Sequence, residues 1–372
     1  MPDTKLKQAR LRRNLKADAV VRMILEMSPR FGVTPTSETS MKTNLSRWEN
    51  GRQQVSEKYR PIFREIYGRE NEQLGLPPDP EEDDEIAELR ERIQIASSVD
   101  AGMIEAIRQR IDSMRYTDRK LGGPGLHDDL HNLITQIEGL LNYSTDIGQH
   151  ATLAGALTEA STLAGWFALS RNAVGQAWKH YERGKRAAYE SGNTALLAHA
   201  TAEQAVVLLD IGEPEKAARQ LEHARALAAH QVSPLLGAWL AAAHGEGLAA
   251  IGNRAAALHA FEQAAELLPS DPVDPQLPFV FLGGTHLDRW RGNALVRIGD
   301  TAAIDALTDA LDQLPDDFAR ARVGMLVDLA FAYAATGDHA ASQYHARHAR
   351  QLGRQLNSDR HLRRLSSLTL PS

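Results

Sequence analysis

Residues 245–269 read GEGLAAIGNRAAALHAFEQAAELLP, two runs of small and apolar residues joined at Gly252 and a few polar residues. Gly212, Gly299 and Gly337 stand at the same place in LLDIGEPEKA, LVRIGDTAAI and AYAATGDHAAS, so the four glycines are 40, 47 and 38 residues apart. Glycine readily takes the left-handed conformation that follows many helix ends. The pattern therefore predicts helical hairpins. Because one hairpin cannot bury its own apolar face, we expect them to stack into a right-handed α-solenoid.

The residues at fixed places in these hairpins resemble tetratricopeptide repeats, in which small residues lie where the helices cross and a large apolar residue follows. The match is best in the unit formed by Gly245, Leu248, Gly252, Ala257, Phe261, Ala264 and Pro269. A second unit contains Ala205, Leu208, Gly212, Ala217, Leu221 and Ala224. The resemblance covers about residues 150–355, and the unit around Gly299 departs from it by about one residue.

The composition is that of a multidomain globular protein. A chain of 372 residues exceeds what one core normally supports, and its 43% hydrophobic and 24% charged residues argue against disorder. No stretch approaches the roughly 18 apolar residues of a membrane span, and the basic N-terminus leads into no apolar segment of a secretion signal. The absence of cysteine excludes disulfides, thiolate metal sites and cysteine nucleophiles. We therefore expect a cytoplasmic protein that does not bind membranes.

Charge is distributed unevenly along the chain. Residues 1–70 hold 15 Lys and Arg against 8 Asp and Glu, a net charge of +7, whereas the remainder holds 27 against 40, a net charge of −13. A basic head on an acidic body is typical of a nucleic-acid-binding module joined to a second domain, although chance clustering on a solvated surface is the alternative. The stretch LGLPPDPEEDDE, with three prolines and an acidic run, predicts a linker. The predicted organisation is a DNA-binding domain (1–73), the linker (74–85), a connecting helical segment (86–125) and the repeat domain (126–372).

The basic head contains several short helix patterns. KLKQARLRRNL (5–15) and ADAVVRMILEM (17–27) carry apolar residues at helical spacing, and SMKTNLSRWENG (40–51) ends at a glycine. SEKYRPIFREIYG (56–68) follows, with a serine that fits a helix N-cap. Four to five short helices in this length predict a compact all-helical module.

The order of these segments, and above all LSRWENG (45–51), resembles the Cro/repressor-like (XRE) helix-turn-helix family, in particular actinobacterial regulators fused to a tetratricopeptide body. Two departures stand out. The connection SPRFGVTPTSETS (28–40) is longer than the usual three to four residues, and Lys16 replaces a common Ser or Thr cap. The resemblance implies an all-α protein with a five-helix-type helix-turn-helix domain before a tetratricopeptide-like α-solenoid. It also implies a structural pair between Arg10 and Glu49.

The segment before Gly51 has the residues that a helix in the major groove needs, which are short polar side chains for base edges and cations for phosphates. Asn44 is suited to adenine and Arg47 to guanine, whereas Leu45 is expected in the core. Trp48 has two open interpretations, a phosphate contact through its N–H or plain packing. The predicted DNA-binding residues are Lys42, Thr43, Asn44, Ser46, Arg47, Trp48, Arg52 and Lys16.

The first helices of stacked hairpins line a concave groove, where a peptide, a small molecule or a protein can bind. In that groove Asn293 and its neighbouring arginines are suited to hold a peptide backbone or a carboxylate, and ordinary polar contacts between repeats are the alternative. The candidate groove residues are Trp166, Glu246, Arg289, Asn293, Arg297 and Asp328.

Catalytic motifs are missing from the sequence. It contains no P-loop, GxGxxG, HExxH or GxSxG pattern, so we expect neither an enzyme nor a cofactor. His345 and His348 have a helical metal-binding spacing, but no carboxylate or thiolate pair completes the site, so we expect no metal.

The leading interpretation is a sequence-specific transcriptional regulator that binds double-stranded DNA. Its repeats would form a homodimer and bind a peptide, small molecule or protein. One alternative is a tetratricopeptide interaction scaffold whose N-terminal module does not read DNA. A third is a repeat protein that regulates an enzyme without DNA.

Overall fold

The computed structural model describes residues 3–79, 84–122, 125–229, 232–283 and 285–369. The prediction of an all-helical chain is confirmed for this part of the protein, which contains no β-strand. The chain forms two compact units, residues 1–90 and 91–372. None of the helices in the described ranges is both long and apolar enough to cross a membrane.

The first unit is built from short helices whose ends are set by local side chains. Thr4 and Ser37 cap α1 and α3, since their hydroxyls accept hydrogen bonds from the backbone N–H groups of Lys7 and Ser40. Lys16 stands at the N-cap position of α2 and makes no such bond. The helices are α1 (Lys5–Arg12), α2 (Ala17–Met27), α3 (Glu38–Glu49), α4 (Arg60–Tyr67) and α5 (Asn71–Leu74), with 3-10 turns at Ser28–Phe31 and Glu57–Tyr59.

The packed part of the first unit extends beyond the predicted domain end at residue 73. Leu74 and Leu76, at the start of the predicted linker, are buried with the core residues of α2, α3 and α4. The guanidinium of Arg64 forms an ion pair with the carboxylate of Asp79 at 2.5 Å. Prolines and acids signalled a linker locally, whereas these apolar side chains pack on the unit. Residues 80–83 of the predicted linker lie outside the described residues, and its last two residues, Asp84 and Glu85, begin the next helix.

After α5 the helices are long and arranged mainly in pairs. Each pair turns at a left-handed residue, and the φ angles of Gly212, Gly252, Gly299 and Gly337 are 79°, 74°, 72° and 83°. Only a residue without Cβ adopts such angles without strain. The helices are α6 (Asp84–Ser97), α7 (Ala101–Leu121), α8 (Leu126–Tyr143), α9 (Ile147–Ser170), α10 (Val174–Glu190), α11 (Thr194–Asp210), α12 (Pro214–Ala228), α13 (Pro234–Ala250), α14 (Arg254–Leu267), α15 (Thr285–Arg297), α16 (Ala303–Asp312), α17 (Ala319–Ala335), α18 (His339–Gln355) and α19 (Asp359–Ser366).

The pairs α9–α10, α11–α12, α13–α14, α15–α16 and α17–α18 are hairpins, and the first helix of each contacts the first helix of the next. Small residues allow the two helices of a hairpin to approach closely. A Cβ on Gly165 would lie 2.8 Å from the ring of Tyr181, and one on Gly245 would lie 2.8 Å from the ring of Phe261. Each ring lies 16 residues after its glycine (181 − 165 and 261 − 245). This regular spacing defines an α-solenoid of repeated hairpins.

Both ends of the second unit close over the solenoid. Helices α7 and α8 share a hydrophobic core with α9, so the predicted connecting segment 86–125 is packed into this unit from Val99 onward. At the far side of α7, Asp118 pairs with Arg320 of α17 at 2.5 Å. Helix α19 folds back and contacts both α9 and α17. The concave side formed by the first helices is therefore covered by α7 and α19.

Candidate functional site

Helix α3 has a buried face and an exposed face. Met41, Leu45 and Trp48 are 0%, 1% and 4% exposed and pack in the core of the first unit. Because side chains three and four positions apart share a face, the opposite face points to solvent. On or near it, Lys42, Thr43, Ser46 and Arg47 are exposed, and Asn44 is half-buried.

A buried ion pair holds α3 to α1. Arg10 Nε and Nη2 donate to the two carboxylate oxygens of Glu49 at 2.7 and 2.9 Å, and the pair raises the pKa of Arg10. The two side chains are 12% and 5% exposed. The hydroxyl of Thr4 also donates to the Glu49 carbonyl at 2.7 Å. The acid on α3 therefore has a structural partner and does not face the surface.

Trp48 corrects one predicted DNA contact. Its ring lies against Tyr59 and Phe63, with centroid distances of 5.2 and 5.8 Å. The indole nitrogen is buried and has no hydrogen-bond partner among the described residues. A ring enclosed in this way cannot reach a phosphate without leaving the core. Of the two interpretations that the sequence left open, the structure has the packed one.

The exposed cations of this region differ in their surroundings. The ammonium of Lys42 lies 3.2 Å from Asp18 and 3.3 Å from Glu38, and hydrogen bonds to these carboxylates raise its pKa. Lys42 is therefore partly neutralised in the free protein. Arg47 and Arg52 are exposed and form no ion pair with the described residues. The same is true of Lys16, which is exposed just before α2. These three cations supply the available positive charge around α3.

The six candidate groove residues come together inside the solenoid. They project from four first helices, α9, α13, α15 and α17, and line one cavity of about 420 Å³. Of the two open interpretations, the contacts favour polar contacts between repeats, because Asn293 donates to both carboxylate oxygens of Asp328 at 2.9 Å and accepts from Arg297 Nε at 3.0 Å. Arg364 of α19 pairs with the same Asp328 at 2.5 Å. These polar groups therefore connect repeats and α19, and are not free to clamp a peptide backbone.

Helix α19 is fixed in the groove by further polar contacts. Arg360 makes a two-pronged ion pair with Asp210 at the end of α11, with distances of 2.6 and 2.9 Å. Arg363 donates to the side chain of Asn172, in the turn after α9, at 3.0 Å. Sequence analysis missed this role of the DRHLRRLS segment. Arginines at positions 360, 363 and 364, which share one face of a helix, were the available signal.

Next to this groove is a cavity of about 260 Å³ with an aromatic wall. The rings of Trp239 and Trp290 meet edge to face with centroids 5.5 Å apart, and the ring of His199 lies 4.3 Å from that of Phe279. Helices α7, α9, α11, α13, α15, α17 and α19 and the segment before α15 all contribute to the wall. The lining residues are Arg115, Asp118, Arg119, Thr162, Leu163, Trp166, His199, Glu203, Trp239, Phe279, Phe281, His286, Arg289, Trp290, Phe318, Arg320, Ala321, Arg360 and His361.

Burial sets the protonation of the titratable groups in this cavity. It lowers the pKa of His199 and that of His286 to about 3, so both imidazoles are neutral near pH 7. Burial raises the pKa of Glu203 to about 7, against the hydrogen bond that it accepts from Tyr181. The arginines remain charged because the guanidinium group keeps its proton in proteins. The cavity thus combines neutral hydrogen-bonding rings with permanent cations.

No cluster of three or more His, Cys, Asp or Glu side chains in the described ranges is arranged to hold a metal ion. His345 instead stacks on Tyr333 at 5.4 Å, and His348 packs against Tyr344 at 4.2 Å. These histidines are engaged in ring packing on α17 and α18.

No protein-family model and no curated protein sequence matches the chain. The chain is similar to two crystal structures, one of them a point variant, of a Podosopora anserina protein described as a kinesin light chain with nearly identical TPR-like repeats. Each is 15% identical and covers 52% of this chain and 93% of that chain, with TM-scores of 0.35 and 0.34. The solenoid assignment rests on this chain's own helix order and turns.

Proposed function

We propose that the protein is a transcriptional regulator that binds specific double-stranded DNA through α3. Its solenoid would join two copies and sense a small molecule, peptide or protein. Two α3 helices in such a dimer would meet successive major grooves, whose centres are about 34–36 Å apart. Such a regulator acts by binding and carries out no catalysis.

The observation that carries the proposal is the division of α3 into an anchored face and an exposed polar face. Leu45 lies in the core and Glu49 is paired with Arg10, so the helix is held rigidly from behind. Ser46 and Arg47 lie on the exposed face, with the side-chain types that contact base edges. A rigid helix with such a face supports direct readout of DNA.

Selection from a random DNA pool tests the proposal. The full-length protein is incubated with the pool at low salt, with and without cell extract, and bound fragments are sequenced. We expect enrichment of a two-fold symmetric motif. If no sequence is enriched under either condition, the proposed function is wrong.

Single substitutions then separate base contacts from phosphate contacts. Arg47→Ala should remove about 1–3 kcal/mol of discrimination at one base pair. Arg52→Ala should weaken binding to all sequences and reduce the salt slope by about 0.9 for one lost phosphate contact. Arg30→Ala is the matched control, because Arg30 is equally exposed but lies on the 3-10 turn after α2. If Arg30→Ala and Arg52→Ala change the salt slope equally, the assigned contact is wrong.

An interaction scaffold is the second candidate, and the stack of hairpins from Ile147 to Gln355 favours it. Stacked hairpins provide an extended surface for protein partners. The two candidates separate in the same experiment, since a scaffold whose first unit does not read DNA would give no enriched motif. It would still retain a protein partner from extract, and deletion of residues 1–79 would leave that binding intact.

A further inference from the structure

We propose that the aromatic-walled cavity of the solenoid, of about 260 Å³, is a binding site for a small aromatic carboxylate. The carboxylate would be bound by Arg289 and Arg119, and its flat apolar body would lie against the tryptophan and phenylalanine rings of the wall. The assignment of this ligand as the regulator's signal rests on the proposed function. As a binding site, it can be tested without DNA.

Two half-buried arginines of the cavity lack an anionic partner among the described residues. Arg119 and Arg289 line the cavity and form no ion pair with the described residues, and the Nε of each is buried without a hydrogen-bond acceptor there. Arg320 is 7% exposed, and its Nε and Nη1 atoms are also buried without a hydrogen-bond acceptor among the described residues. Its Nη2 donates to Asp118. Buried charged groups without partners are costly to a fold. An anion from outside would supply the missing acceptors.

The unpartnered groups lie close together. His286, 9% exposed, also has a buried Nε2 without a hydrogen-bond partner among the described residues. Its ring lies 4.3 Å from that of Phe318, and the guanidinium of Arg119 lies 4.7 Å from the same ring. The charges of Arg289 and Arg119 both act on His286 and help to lower its pKa. Arg289 follows His286 by three residues on α15, so both arginines lie near this neutral imidazole, which can also donate a hydrogen bond.

Aromatic rings form the wall of the cavity beside these cations. Trp239 and Trp290 are in ring contact, and Phe279 lies close to His199, which packs on Trp239 at 4.8 Å. Flat rings with open faces bind another flat ring by stacking and by exclusion of water. A ligand that has an aromatic body and one carboxylate would satisfy both parts of the cavity.

The size of the cavity selects a small molecule over a peptide. Its volume of about 260 Å³ lies just below the roughly 300–1,000 Å³ of typical small-molecule sites. The adjoining groove, where an extended peptide would have to continue, is crossed by α19 and its ion pairs to Asp210 and Asp328. Planar guanidinium groups match a carboxylate with two parallel hydrogen bonds.

Isothermal titration calorimetry of the full-length protein tests the inference. The probes are benzoate, 2-naphthoate and anthracene-9-carboxylate, each compared with its primary amide, which has the same shape and no charge. We expect at least one carboxylate to bind about tenfold or more tightly than its amide. If no carboxylate binds, or if acids and amides bind equally, the inference is wrong. Binding of short peptides in place of these probes would also overturn it.

Two variants on one helix locate the site. Arg289→Gln should weaken the best carboxylate by about tenfold or more, because the variant lacks the charge that faces the anion. Arg291→Gln is the matched control, since Arg291 is exposed on the same helix, and its affinity should equal that of the wild type. Equal affinities of the two variants would contradict the site.

Thermal unfolding distinguishes a ligand-binding residue from a structural one. Without ligand, Arg289→Gln should melt at or above the wild-type temperature, because the removed guanidinium forms no ion pair with the described residues. A lower melting temperature with unchanged carboxylate binding would assign Arg289 a structural role and overturn the inference. DNA selection remains an independent experiment, so failure of carboxylate binding and failure of DNA binding can be told apart.

Discussion

Replacement of Arg10 by methionine should destabilise the first unit strongly. The change leaves the carboxylate of Glu49, 5% exposed, without its two charge-assisted hydrogen bonds, and it removes a third bond from Arg10 to the Leu15 carbonyl at 3.0 Å. Loss of one partner from a buried ion pair costs about 3–5 kcal/mol. That is a large share of the roughly 5–15 kcal/mol that stabilises a typical domain. Because the pair joins α1 to α3, α3 should also be held less firmly.

A double-mutant cycle separates the pair from general damage. Replacement of a buried ion pair by apolar residues is often neutral, so Arg10→Met/Glu49→Leu should be more stable than Arg10→Met alone by about 2 kcal/mol or more. Lys7→Met is the control on the same helix. Its ion pair with Asp3 is 29% and 44% exposed, so this substitution should cost less than about 1 kcal/mol.

Hydrogen exchange followed by mass spectrometry of the full chain measures these effects, because peptides from α1 to α4 report the opening free energy of the first unit separately. The reasoning is refuted if Arg10→Met exchanges within about 1 kcal/mol of the wild type, or if the double variant opens as easily as Arg10→Met.

Two further predictions concern the solenoid, and urea unfolding followed by tryptophan fluorescence checks both. Gly245→Ala places a Cβ 2.8 Å from the ring of buried Phe261, so packing strain should lower the free energy of unfolding by about 1–3 kcal/mol. The control is Gly237→Ala on the same helix, whose Cβ would lie 3.7 Å from Leu267 and whose higher helix propensity should raise the free energy of unfolding by up to about 1 kcal/mol. Equal stabilities of the two variants would contradict the close packing at Gly245. Burial lowers the pKa of His199 to about 3, below its unfolded value of about 6.5, so its stabilising contribution is complete above pH 6.5 and is lost as the pH falls. Between pH 7.5 and pH 5 the free energy of unfolding of the wild type should therefore fall by about 2 kcal/mol more than that of His199→Gln. Parallel pH profiles of the two proteins would show that the imidazole of His199 is not buried in its neutral form.

The helical hairpins could be predicted from the sequence because their signals are local. Gly212, Gly252, Gly299 and Gly337 each end a helix within a few residues of the apolar run that they terminate, and all four have positive φ angles. The linker signal was also local, and there it misled. The prolines and acids after Leu76 drew the boundary too early, because burial of Leu74 and Leu76 depends on helices distant in sequence.

The sequence predicted which helices carry the candidate site residues, but it did not predict the contacts that those side chains make. Trp48 lay on the expected helix, but only the surrounding rings decide that it is packed and not exposed. The first helices bring Arg289 and Asn293 to the concave side, as the repeat pattern predicts. Only the fold shows that Asn293 bonds Asp328, while the Nε of Arg289 has no hydrogen-bond partner in the part of the chain that the structure describes.

The sequence by itself determined the helices, their turns and the basic and acidic division of the chain, since these depend on residues a few positions apart. The tertiary structure alone decided that α19 crosses the groove, where Arg360 pairs with Asp210 across 150 residues of chain. It also decided that Arg119 and Arg289 share one cavity. Contacts of this kind depend on the curvature of the whole solenoid, because a small rotation at each hairpin accumulates along the stack. No local pattern of residues records that sum.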